Sequence, residues 1–184
     1  MGRPPNPPHL IKEKVVKECA KKFSVKVMVE TGTFLGDMVS GCRRSFKRIY
    51  SVELDRNLYE KAKERFSRFS HILIIHGENG EVLPRILAEI EEPCLFWLDA
   101  HAHSHDGKLT KGKIDPPILF ELDCIFKHPI PGHIILIDDA HDFVGKMGFP
   151  YLEELGAFLL NRDINLVSEI KEDIIHIYRR RNTS

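Results

Sequence analysis

The chain has 184 residues, 42% of them hydrophobic and 29% charged, which suits one soluble domain able to bury its own core. Twenty-seven Lys and Arg balance 27 Asp and Glu, so no global field draws nucleic acid or an anionic membrane, and no apolar run is long enough to span one. Cys19, Cys42, Cys94 and Cys124 show no C-x-x-C spacing and no leader pattern precedes them, so four reduced thiols in a cytoplasm are expected.

Residues 1–9 hold four prolines and predict a disordered arm, with a single domain over 10–184. Asn6 stands where a myristoylation signal needs Ser or Thr. Leu10, Ile11, Val15, Val16, Cys19 and Ala20 keep helical spacing and predict a helix over 10–22. Short apolar runs then predict strands at 25–30, 48–53, 71–75, 94–99 and 133–138. Amphipathic segments between them predict helices at 35–44, 57–69, 82–90 and 117–126. A further helix at 151–160 precedes strands at 165–169 and 173–178. Their connection around Lys171-Glu172 is too short for a crossover helix, so this last pair must be antiparallel. Alternation of this kind argues for an α/β fold, a parallel sheet covered on both faces and doubly wound.

The strand ends carry the chemistry. Glu30, Glu53, Asp99 and Asp138 close four of the five parallel strands, and Glu78 follows the other. In an open α/β sheet, ligands bind beyond the carboxyl ends of the strands, where the strand order reverses. Glu30, Glu53, Glu78, Asp99, Asp138 and Asp139 should therefore share one edge. Such crowding calls for a cation, a hydroxyl ligand or a metal to offset it.

The first strand empties into Glu30-Thr31-Gly32-Thr33-Phe34-Leu35-Gly36, an E-x-G-x-x-x-G turn and not the G-x-G-x-x-G of dinucleotide binders. An acid here would repel a pyrophosphate but suits a cationic amino group. Glu53, at the end of the second strand, is placed to accept from two ribose hydroxyls. Gly77-Glu78-Asn79-Gly80 after the third strand can rim an adenine, although these are also ordinary turn formers. Asp99 leads into His101, His103 and His105, which alternate and so share a face if extended; imidazoles there could bind metal or act as bases. Asp138-Asp139 is a carboxylate pair whose mutual repulsion a divalent cation would relieve, with Asp99 as third hard ligand and His141 just beyond.

Together these residues resemble the class I S-adenosylmethionine-dependent methyltransferases over about residues 25–178. The resemblance implies a Rossmann-like, doubly wound seven-stranded sheet in order 3-2-1-4-5-7-6, with strand 7 antiparallel. It implies S-adenosylmethionine as cofactor, with Glu30, Thr31, Gly32, Thr33 and Gly36 around its methionine part and Glu53, with Leu54 next to it, at the ribose. Glu78 and Asn79 would flank the adenine, and Asp99 would border the same pocket. Asp99 with Asp138-Asp139 is similar to the Mg²⁺ site of metal-dependent O-methyltransferases of the macrocin and novobiocin type. The chain is shorter than those enzymes, and its His-rich loop is not part of their pattern.

The expected chemistry is in-line transfer of a methyl group to a hydroxyl of a small-molecule acceptor. Asp99 or His101 would take the proton, with His141 as a second candidate base, and 100–116 would form a lid. No nucleic-acid or membrane partner is expected. A homodimer is compatible with the reading, and nothing in the sequence specifies one. Two alternatives stay open: a non-catalytic S-adenosylmethionine-binding protein, and a metal-dependent hydrolase built on Asp99-Ala100-His101. A nicotinamide dehydrogenase lacks the needed glycine spacing.

Overall fold

The computed structural model describes residues 8–99, 117–146 and 149–180. In chain order these form α1 (His9–Phe23), β1 (Val27–Thr31), α2 (Asp37–Cys42), β2 (Arg48–Glu53), α3 (Arg56–Phe66), β3 (Ile72–His76) and α4 (Asn79–Ala88). There follow β4 (Cys94–Leu98), α5 (Pro117–Lys127), β5 (Ile134–Ile137), a 3-10 turn (Ala140–Asp142), α6 (Leu152–Arg162), β6 (Leu166–Lys171) and β7 (Ile174–Arg179). The seven strands make one sheet in order β3-β2-β1-β4-β5-β7-β6. Pairing is parallel from β3 through β5, while β7 runs antiparallel to both β5 and β6. That is the order and polarity expected from the sequence.

Alternation along the strands builds two cores. Val27, Val29, Phe96, Leu98, Ile135 and Ile137 face α4, α5 and α6 through Leu83, Ile86, Leu122 and Leu159. Met28, Leu95, Trp97, Ile134 and Leu136 face the other way, onto Val16, Val39, Cys42 and Phe66 of α1, α2 and α3. The central strands are buried on both faces, which is why they read as continuous apolar runs. Each such side chain contributes roughly 1.5–3 kcal/mol by leaving water. All four cysteines are free thiols.

Most element boundaries shift by a few residues from expectation, and three of the shifts have a clear local reason. Helix α1 begins at His9, so the last residue of the expected arm is helical; residues 1–7 lie outside the described residues. Helix α4 begins at Asn79, because the Glu81 and Val82 amides close the first turn on the Glu78 carbonyl, both at 3.0 Å. The β6–β7 turn is Glu172-Asp173 and not Lys171-Glu172. Both residues are left-handed, with φ of 51° and 58°, the twist a two-residue hairpin prefers, and pairing therefore continues to Lys171 and Ile174.

The strand order reverses between β1 and β4, and the crevice above that reversal is where the acids collect. No helix among the described residues is long and apolar enough to cross a membrane.

Candidate functional site

Beyond β1 the chain turns through three left-handed residues, Gly32, Phe34 and Gly36, with φ of 89°, 48° and 76°. Gly36 must be glycine for a second reason: a Cβ there would sit 2.6 Å from the Phe66 ring. The Gly32 and Thr33 amides both donate to the Val52 carbonyl at 3.0 Å, pinning the turn to β2. The Phe34 amide donates to Glu53 Oε2 at 2.7 Å and the Asp55 amide to Oε1 at 2.8 Å. Asp55 in turn caps α3 by accepting from the Asn57 and Leu58 amides. Glu53 is thus held through both oxygens at the lip of the turn, beside an apolar rim of exposed Phe34, Leu35 and Leu54.

Behind the lip lies a buried relay. Glu30 is 1% exposed and accepts from the Ser51 hydroxyl, which accepts in turn from Thr33 Oγ1 at 2.5 Å. Burial pushes the Glu30 carboxyl up to about 8; the Ser51 hydrogen bond opposes this, and the charges of Asp99 and Glu53 add to it. A cationic group arriving at this position would be strongly favoured.

Asp99, Asp138 and Asp139 lie together beyond β4 and β5. The Asp99 amide donates to the Thr31 carbonyl at 3.1 Å and the Asp138 amide to the Leu98 carbonyl at 3.0 Å, so β1, β4 and β5 hold both acids in register. One oxygen from each of Asp99, Asp138 and Asp139 lies within 4.8 Å of the others. Asp138 is 2% exposed, and burial, with Asp99 nearby, raises its carboxyl despite a lysine partner. That partner is Lys12, reaching over from α1, with Nζ 2.5 Å from Asp138 and 3.3 Å from Asp139. Burial works against the Lys12 charge, but its bonds to both acids outweigh this and its pKa is raised. His141 stands next to the triad. Its backbone N–H donates to Asp173 Oδ1 at 3.0 Å and its Nδ1 meets Asp173 Oδ2. Asp139, His141 and Asp173 make a second group of ligand atoms within 4.8 Å.

The fold therefore brings together Glu30, Thr31, Gly32, Thr33, Gly36 and Glu53 in one unit, and Asp99, Asp138 and Asp139 in another beside it. Glu78 and Asn79 open α4, with Asn79 Nδ2 donating to Glu121 at 2.8 Å. His101, His103, His105 and the expected lid over 100–116 lie outside the described residues. Lys12, Glu121 and Asp173 were not anticipated. Lys12 falls on the buried stripe of α1, four residues before Val16 and eight before Ala20, where a charge signals a partner. Glu121 falls on the α5 stripe with Ile118, Leu122 and Ile125, and the same rule flags it.

Similarity to solved structures is extensive. An O-methyltransferase of Bacillus cereus in complex with S-adenosylhomocysteine (SAH) matches with a TM-score of 0.69 at 14% identity, over 96% of this chain and 84% of that one. The fold is that of the class I methyltransferases. The O-methyltransferase TomG of Streptomyces achromogenes, involved in tomaymycin synthesis and in complex with S-adenosylmethionine, matches at 0.68 and 16% identity, over 96% and 82%. An SAH-bound methyltransferase of Podospora anserina matches at 0.65 and 14%, over 93% and 79%. No protein-family model and no curated protein matches the sequence. In this chain the Gly32–Gly36 turn and Asp99 border the strand-order reversal between β1 and β4, Glu53 ends the neighbouring β2, and Asp138-Asp139 follows β5.

Proposed function

We propose that the chain is an S-adenosylmethionine-dependent O-methyltransferase acting on a hydroxyl group of a small-molecule acceptor, with Mg²⁺ held by Asp99, Asp138 and Asp139. One observation carries the reading: a left-handed turn at the strand-order reversal, pinned to a buried glutamate at the end of the neighbouring strand. On this reading Glu30, Thr31, Gly32, Thr33 and Gly36 surround the methionine part, where the buried Glu30 carboxyl meets the cofactor's ammonium. Glu53, already oriented by two backbone amides, accepts from the ribose hydroxyls, with Leu54 on the rim. Glu78 and Asn79 flank the adenine. The balanced charge of the chain supports a small acceptor over a nucleic acid.

The metal reading is supported by the donor set. Three hard oxygen ligands converge, and an ammonium from α1 already stands in for a cation between two of them. When bound, Mg²⁺ would lower the pKa of an acceptor hydroxyl. Asp99 or His101 would receive the acceptor's proton, and His141, oriented by Asp173, is the second candidate base. An Asp138→Ala variant is expected to lose divalent-ion binding, read by Mn²⁺ water-proton relaxation, and any Mg²⁺-dependent turnover, while SAH affinity stays near wild type. Equal loss of ion and SAH binding would remove the metal assignment.

One observation favours a second reading, a metal-dependent hydrolase: Asp139 is shared with the adjoining Asp139, His141 and Asp173 group, as a two-ion site requires. Two bound ions with no affinity for SAH would select it.

A further inference from the structure

Glu121 is a buried charge that the proposed chemistry leaves without a task. It is 0% exposed on the core face of α5, between Ile118, Leu122 and Ile125. Burial pushes its carboxyl up to about 7, against hydrogen bonds from Asn79 and Thr31. A leucine of similar size would avoid this desolvation and is often the more stable choice at such a position. What the carboxylate does is reach across the crevice. Oε1 accepts from Asn79 Nδ2 at 2.8 Å, and Thr31 Oγ1 donates to Oε2 at 3.4 Å. It thereby ties the end of β1 to the first residue of α4, the two elements between which an adenine would lie.

The tie fixes a direction. A planar amide whose NH₂ is committed to Glu121 presents its carbonyl oxygen on the opposite side. Asn79 Oδ1 accepts no hydrogen bond among the described residues, so it stands ready as an acceptor. Without Glu121 the amide could rotate and offer either group.

We propose that Glu121 is a positioning residue for base recognition: it holds Asn79 so that Oδ1 accepts from a purine 6-amino group and opposes a 6-oxo group. This rests on the reading of the crevice as an S-adenosylmethionine site with Asn79 beside the base. The selectivity follows from chemistry, since a 6-oxo purine would set one acceptor against another with no proton between them.

The test is calorimetric titration of the full chain with SAH and with its deaminated analogue, S-inosylhomocysteine. Wild type is expected to prefer SAH by about tenfold or more, as a site built to pair a donor rejects an analogue without it. In Glu121→Leu the preference should collapse to within about threefold, because the freed amide can turn to suit either base. Glu121→Gln, whose amide oxygen still accepts from Asn79, should retain most of it. Asn79→Ala should lose it as fully as Glu121→Leu, and the double variant should lose no more than either single. A folded Glu121→Leu that keeps the wild-type preference, or that weakens for both ligands in equal proportion, overturns the proposal. Should Glu121→Leu not fold, an unchanged preference in Asn79→Ala overturns it as well. Absence of binding by either ligand to wild type would remove the cofactor reading together with this one, whereas binding without base preference removes this one alone.

Discussion

At the residue scale, two glutamates at neighbouring strand ends have opposite environments and so opposite tasks. Glu53 is met by two backbone amides, Phe34 on Oε2 and Asp55 on Oε1, which orient it at the lip of the turn. A Glu53→Ala variant is expected to weaken SAH binding by roughly 1–3 kcal/mol, the worth of charge-assisted hydrogen bonds; an unchanged dissociation constant would misplace the ribose. Glu30 is buried, and its folded pKa, about 8, lies above the unfolded value of 4.5. A group raised in this way adds stability that is full below the unfolded pKa and is lost as pH climbs through the folded one. The unliganded protein should therefore lose stability between pH 4.5 and about 8, and Glu30→Gln should remove Glu30's share of that slope. Thermal unfolding across this range would check it, and identical slopes in the two proteins would contradict it.

At the scale of elements, the turn between β1 and α2 decides whether the site exists. Gly36→Ala places a Cβ against Phe66 in a left-handed backbone, so a loss of roughly 1–3 kcal/mol is expected in urea unfolding; an unchanged midpoint would mean the turn relaxes freely. The strands and the order of their acids were legible in the sequence because β1, β4 and β5 are each a near-continuous apolar run and β2 carries Ile49, Tyr50 and Val52, with Glu30, Glu53, Asp99 and Asp138 falling at or just beyond their carboxyl ends. The contacts of Lys12 with Asp138 and of Glu121 with Asn79 were not legible. Each joins residues far apart in the chain, 126 positions in the first case and 42 in the second, and local patterning carries no record of such pairs. What it did carry, unused, was a charge on a buried helical stripe. The His141 contact with Asp173 was hidden similarly, because it depends on a hairpin turn placed one residue from where the sequence suggested.

At the scale of the whole molecule, the sheet collects charge on one edge and the rest of the chain is arranged to tolerate it. Helix α1 packs on β4 and β5 and delivers Lys12 to the Asp138-Asp139 pair, the first cation the crowding demands. Burial raises the Glu30 carboxyl toward its neutral form, and Glu53 is shared between two amides. On the proposed reading, the strand-order reversal would take an amino-acid cation, a diol and a base beside the Asp99, Asp138 and Asp139 group. Calorimetric titration of SAH into the purified protein, with and without Mg²⁺, tests this most directly. The account predicts a micromolar dissociation constant for SAH in both conditions and a separate heat for Mg²⁺ alone, and the absence of SAH binding in either condition would contradict it.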